Sequence, residues 1–215
     1  MTSTPQLIDA LVERATPVAR LSAPLTRACR WLGFAAVVLA LLAAAHGVRT
    51  DLVEHLRQPV FLVGLAAALA TGVLAAIAAF VISLPDRSQW WISLPAPALA
   101  VWLSTIGYGC LTDWVSMDPS GVRLGETVRC LATLVLTSVP LSLAMLVMLR
   151  YAVLLRAKAV TLTGALAVAA LTSFALSMDH DLDATVMILV WNLGTVALIT
   201  AIGGLIGRRM FLWVT

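Results

Sequence analysis

Long apolar stretches separated by short polar loops run through most of this chain. Six of them reach or approach the roughly 20 residues that a membrane-crossing helix needs. They fall at Trp31–Gly47, Pro59–Leu84, Trp90–Cys110, Cys130–Leu149, Ala159–Met178 and Ala184–Gly207. The stretches are rich in Ala, Leu and Val and show no period-two alternation, which argues against a membrane β-barrel. The pattern predicts an all-α membrane protein: a six-transmembrane helix bundle with a short cytoplasmic N-terminal amphipathic arm. Residues 1–30 form that arm, 31–207 the bundle and 208–215 a cytoplasmic tail.

Composition agrees with the pattern. Hydrophobic residues make up 61% of the 215, charged ones 12%, and the mean hydropathy is +0.99. A soluble domain of this size would not keep such a surface in water. The first stretch, with Ala43-Ala44-Ala45 behind it, has some features of a cleaved signal peptide, but residues 1–30 are too long for a signal n-region. Charge sets the orientation. With the amino terminus inside, the cytoplasmic segments hold Arg14, Arg20, Arg27, Arg30, Arg87, Arg150, Arg156, Lys158, Arg208 and Arg209. The outer loops hold Arg49, Arg57, Arg123 and Arg129. This is a positive-inside bias with both termini cytoplasmic, as for a multi-pass inner-membrane protein. The net charge of +3 then reflects topology and implies no direct nucleic-acid binding. Trp31, Trp90, Trp91 and Trp213 are expected as interfacial anchors at the inner ends, and Trp114 at the outer.

Lipid gives packed helices no hydrophobic reward, so small residues that let backbones approach drive their association. The second stretch carries Gly64, Ala68 and Gly72 at four-residue spacing, followed by Ala75 and Ala79; the sixth carries Gly203 and Gly207. These faces predict close crossings within the bundle, with a homodimer interface or a pore lining as the competing uses. Pro95 and Pro97 are expected to distort the start of the third stretch, and Pro140 to bend the fourth. No Asp, Glu, Lys or Arg lies deep in any stretch, and Asn192 is the most polar side chain at depth. A secondary transporter would normally keep a charged partner for its cargo near the midplane.

In the arm, Thr4-Pro5 is a helix start. Leu7, Ile8, Leu11, Val12 and Ala15 then share one face, with Gln6, Asp9, Glu13 and Arg14 mostly opposite. Thr16-Pro17 ends the helix, and Val18 to Leu25 reads as extended chain. So short a helix is marginal alone in water and needs a surface. Its polar face contains Asp9 and Glu13 rather than a row of Lys and Arg, which favours a protein groove over a lipid surface.

Leu7-Ile8-Asp9-Ala10-Leu11-Val12, Pro17-Val18-Ala19-Arg20-Leu21 and Pro24-Leu25 resemble the amino-terminal signature of the NrsF family of bacterial membrane anti-sigma factors. The resemblance continues through Asp51-Leu52, Pro59 with Phe61, Ala70-Thr71-Gly72, Pro85-Asp86-Arg87-Ser88-Gln89-Trp90-Trp91, Gly109-Cys110-Leu111-Thr112-Asp113-Trp114, Arg129-Cys130-Leu131, and Gly203 with Gly207-Arg208-Arg209. It implies a regulator that holds an extracytoplasmic-function sigma factor inactive at the inner membrane and releases it under heavy-metal or oxidative stress. By that resemblance the sigma factor docks on Leu7, Ile8, Leu11, Val12, Pro17, Val18, Arg20 and Leu21.

The opposite side gathers the chemistry. Cys110 closes the third stretch and Cys130 opens the fourth on the same outer face, where His46, His55, His180, Asp113, Asp179, Asp181 and Asp183 also fall. Reduced, the two thiols would offer soft ligands to a heavy-metal ion acting as signal, with His180, Asp181 or Asp113 completing the shell. Redox-active or metal-sensing thiols, a static disulfide and plain interfacial cysteines are the three readings of Cys110 and Cys130. The resemblance favours the first, although this chain has Asp181 where some relatives carry a cysteine. No resident cofactor is expected and no enzyme. A thiol–disulfide oxidoreductase would want a Cys-x-x-Cys pair, which is missing, and a small metal transporter is disfavoured by the uncharged stretches.

Overall fold

The computed structural model describes residues 4–13, 22–47, 52–113, 124–149 and 157–179. These are all helical apart from their connections, with no strand among them: α1 (Thr4–Glu13), α2 (Pro24–His46), the short α3 (Leu52–His55), α4 (Pro59–Ile82), a 3-10 helix (Gln89–Ser93), α5 (Ala96–Asp113), α6 (Leu124–Leu149) and α7 (Ala157–Asp179). Four helices are long and apolar enough to cross a membrane, over Pro24–Ala45, Pro59–Ile82, Ala132–Leu149 and Lys158–Met178. They correspond to the first, second, fourth and fifth expected stretches. The sixth, Ala184–Gly207, and the tail 208–215 lie outside the described residues.

Two boundaries differ from expectation, both for reasons of proline chemistry. The first stretch was expected to begin at Trp31 after extended chain through Leu25, but α2 starts at Pro24. Its ring presets the helical φ and costs no hydrogen bond at the first position, while Ala23 before it is extended, at φ −52° and ψ 142°. The same helix stops at Gly47, whose φ of +78° few other residues accept and whose N–H bonds the Ala43 carbonyl. The third stretch begins not as an α-helix at Trp90 but as the 3-10 turn. Its first free amide, Trp90 N–H, is capped by Ser88 Oγ. The α-helix proper waits until Ala96, between Pro95 and Pro97. Carrying Ser104, Thr105, Gly107 and Asp113, α5 is not among the four long apolar helices. Pro140 lies inside α6.

The helices are sorted by side-chain size rather than by polarity. On α4, Ala68, Thr71, Gly72, Ala75, Ala76 and Ala79 are buried, and this face packs most extensively on α7, then on α5 and α2. A methyl group added at Gly72 would sit 2.8 Å from Leu171 Cγ of α7, and one at Gly64 3.0 Å from Thr105 Oγ1 of α5. The small-residue spacing in α4 is thus used for packing inside the bundle. Gly164 of α7 faces Met145 of α6 in the same way, at 3.4 Å. Many large residues point outward: Phe34, Val37 and Leu41 on α2, and Leu136, Val139, Leu143, Leu146 and Val147 on α6 are exposed. Lipid tails, not water, are the natural neighbours of so many exposed aliphatic groups. Buried hydroxyls return their hydrogen bonds to their own helix, as Thr71 Oγ1 does to Ala67 O (2.7 Å), Thr163 Oγ1 to Ala159 O (2.6 Å) and Thr137 Oγ1 to Thr133 O (2.5 Å).

Candidate functional site

One end of the bundle is tied by polar contacts. The start of α2 meets the ends of α4 and α6 there. Arg27, only 4% exposed, donates from Nη2 to the Met148 carbonyl and lies over the Phe80 ring, 5.3 Å from its centroid. A cation suits that place, because the last carbonyls of a helix lack amide partners and carry its negative dipole end. Among the described residues its buried Nη1 has no hydrogen-bond partner. One turn further, Trp31 is fully buried and donates from Nε1 to the Leu141 carbonyl at 3.2 Å. Arg27, Ala28, Trp31 and Ala35 form the buried stripe of α2; beyond Ala35 no described residue of this helix is buried.

This overturns two expectations. Trp31 was read as an interfacial anchor, and Arg27 as a charge outside an uncharged stretch. Because α2 begins at Pro24, Arg27 falls inside a helix long enough to span, and Trp31 lies in the core against α6. The i, i+4 spacing of Arg27, Trp31 and Ala35 behind a helix-starting proline was the available signal. Trp90 and Trp91, by contrast, are exposed, at 84% and 40%.

The positions of Cys110, Asp113 and Cys130 fall at the opposite end of the helices. Gly64, near the start of α4, meets Thr105 of α5, so the C-terminal end of α5 runs away from Arg27. Cys110 and Asp113 lie in its last turn. Cys130 lies in the second turn of α6, whose other end holds Met148. The helices therefore bring Cys110 and Cys130 to one end of the bundle, and the side chains of both, and of Asp113, lie outside the described residues. His180 and Asp181 lie outside them altogether. Among the described residues no three His, Cys, Asp or Glu side chains cluster as a metal site would require. His55 packs edge-on against Phe61, with centroids 5.7 Å apart, and Cys29 is an exposed free thiol.

In the arm, α1 forms where the Thr4-Pro5 start places it and ends at Glu13, ahead of Thr16-Pro17. Gln6, Asp9 and Glu13 are exposed as its polar face, and Val12, from the apolar side, is 68% exposed. The side chains of Leu7, Ile8 and Leu11 lie outside the described residues, as do Pro17, Val18, Arg20 and Leu21.

The described residues form an all-helical chain with four helices long and apolar enough to cross a membrane and a separate short helix near the amino terminus. The family described as NrsF, negative regulator of sigma F, matches residues 11–213. The chain belongs to that family, and a sigma factor is the partner which the family description implies. Comparison with curated proteins and with solved structures gives no match.

Proposed function

We propose that this chain is an anti-sigma factor of the bacterial inner membrane, with both termini cytoplasmic. Its arm sequesters an extracytoplasmic-function sigma factor and releases it when periplasm-facing thiols sense heavy-metal or oxidative stress. The family match over residues 11–213 carries the reading. Three features of the chain support it: a short helix whose polar side bears acidic residues, four apolar helices able to span, and the bias of basic residues to the loops on one side. In the resting state the Leu7, Ile8, Leu11 and Val12 face of α1 docks on the sigma factor, followed by Pro17, Val18, Arg20 and Leu21. Metal binding or oxidation at Cys110 and Cys130, with His180, Asp181 or Asp113 as further ligands, lowers the arm's affinity. Turning a 1:99 equilibrium into 99:1 takes about 5.5 kcal/mol of differential binding, within reach of thiolate–metal coordination.

The test is capture of an extracytoplasmic-function sigma factor of the source bacterium by detergent-solubilised full-length protein. Wild type retains it, and Leu11→Asp, which places a carboxylate on the docking face, loses it. Equal capture by both refutes the docking face. Labelling of Thr4→Cys from the cytoplasm and of Cys110 from the periplasm checks the orientation; labelling of both from one side sinks the mechanism.

A further inference from the structure

We infer that Arg27 and Trp31 clamp α2 onto the Arg27-end half of α6, and that this clamp carries a change at Cys130 to the arm. The inference rests on the functional reading above and names its transmission element. Three observations lead to it. First, α6 is the one described helix that holds a candidate sensing thiol near one end and grips α2 near the other. Cys130 and Met148 are 18 residues apart, about 27 Å along a helix at 1.5 Å per residue. Second, both polar grips that α2 makes on α6 fall beyond Pro140, on the Leu141 and Met148 carbonyls. Pro140 has no N–H for the Leu136 carbonyl, so α6 has its natural bending point just before the gripped segment. Third, α2 is anchored mainly over this part. Its buried residues are Arg27, Ala28, Trp31 and Ala35, while Val37 and Leu41 further along are 57% and 65% exposed.

The consequence is mechanical. When the Cys130 half of α6 swings about Pro140, the gripped half tilts against α7, and α2 tilts with it. The chain leading from α1 enters the bundle at Pro24, one turn before Arg27, so the base of the arm turns with the clamp. Packing alone would need no buried guanidinium. A charge held between the Met148 carbonyl and the Phe80 ring instead fixes one direction of approach, since a carbonyl lone pair and a ring face both constrain the planar group. Arg27 and Trp31 are thus positioning residues for the arm, distinct from the α1 face that docks on the partner.

The experiment uses full-length chain in native-lipid vesicles with two readouts. In the first, spin labels are attached through an azide-bearing amino acid at the exposed positions Leu25 and Val147, leaving all cysteines untouched. Wild type gives a narrow α2–α6 distance distribution, and Trp31→Phe and Arg27→Met broaden it. In the second, membrane retention of the sigma factor is read before and after adding cadmium ions. Trp31→Phe, which keeps an aromatic ring but loses the N–H and the five-membered ring of the indole, retains the sigma factor at rest but shows an about fivefold smaller cadmium effect, the low end of allosteric coupling factors. Distances unchanged in both variants overturn the clamp. Cadmium release equal to wild type despite broadened distances overturns its role in transmission. A wild type that fails to hold the sigma factor, or ignores cadmium, counts against the functional reading and against transmission, while the distance readout still decides the clamp.

Discussion

The α4–α7 seam and the α2–α6 contact are both helix pairs in one bundle, held by opposite means. Along α4 and α7 the contact is made of absent side chains: Gly72 accepts Leu171 so closely that no Cβ fits, and Ala75, Ala79, Ala167 and Ala170 are buried beside it. Between α2 and α6 the named contacts are two long polar side chains reaching backbone carbonyls. In a membrane, close packing supplies stability through many small dispersion contacts. A few directed hydrogen bonds supply less energy but fix an orientation. The first pair reads as scaffold and the second as a joint.

Substitutions sharpen that contrast. The largest effect belongs to Gly72→Ala, which forces Leu171 or the helix axis to move. A loss of about 1–3 kcal/mol is expected from overpacking, read as lowered thermal stability in detergent. Its control is Gly33→Ala, where a Cβ meets nothing within 4 Å, with a gain of about 0.5–1 kcal/mol from the better helix former. Equal effects at the two positions would remove the argument for a tight seam. Next comes Thr172→Val. Among the described residues the buried Thr172 hydroxyl has no partner, and replacing it by an isosteric methyl is expected to stabilise by about 1 kcal/mol. Smallest is Arg27→Met. A charged hydrogen bond worth about 1.5–3 kcal/mol and a ring contact of up to about 2 kcal/mol are lost. The desolvation of a guanidinium with one orphan donor is relieved at the same time. The terms nearly cancel, so stability moves by no more than about 1 kcal/mol while the α2–α6 geometry loosens. A collapse in stability as large as that of Gly72→Ala would make Arg27 part of the scaffold.

Much of the fold was legible in the chain. Apolar runs of membrane length locate α2, α4, α6 and α7, since backbone groups in hydrocarbon must bond within their own segment. The four-residue spacing of Gly64, Ala68 and Gly72 announced a close crossing. Pro5 and Pro17 bracketed α1, and the ordered motifs from Leu11 onward identified the family that matches residues 11–213. The site was legible only as a distribution along the sequence. Cys110 and Cys130 could be assigned to one end because helices alternate direction, whereas their mutual geometry depends on how α5 and α6 lean, which spacing does not encode.

Local chemistry decided where helices begin, which residues they leave facing lipid, and which of their faces are narrow enough to touch. Periodicity is a property of a single helix, and the sequence carries it complete. Partnership is a property of two. Whether Arg27 ends in water or over Phe80, and whether Trp31 anchors at an interface or donates to Leu141, depends on which helix arrives beside α2. An indole or guanidinium at a helix start satisfies either environment equally well. Only the packed arrangement, with the end of α6 laid against the start of α2, chose between them.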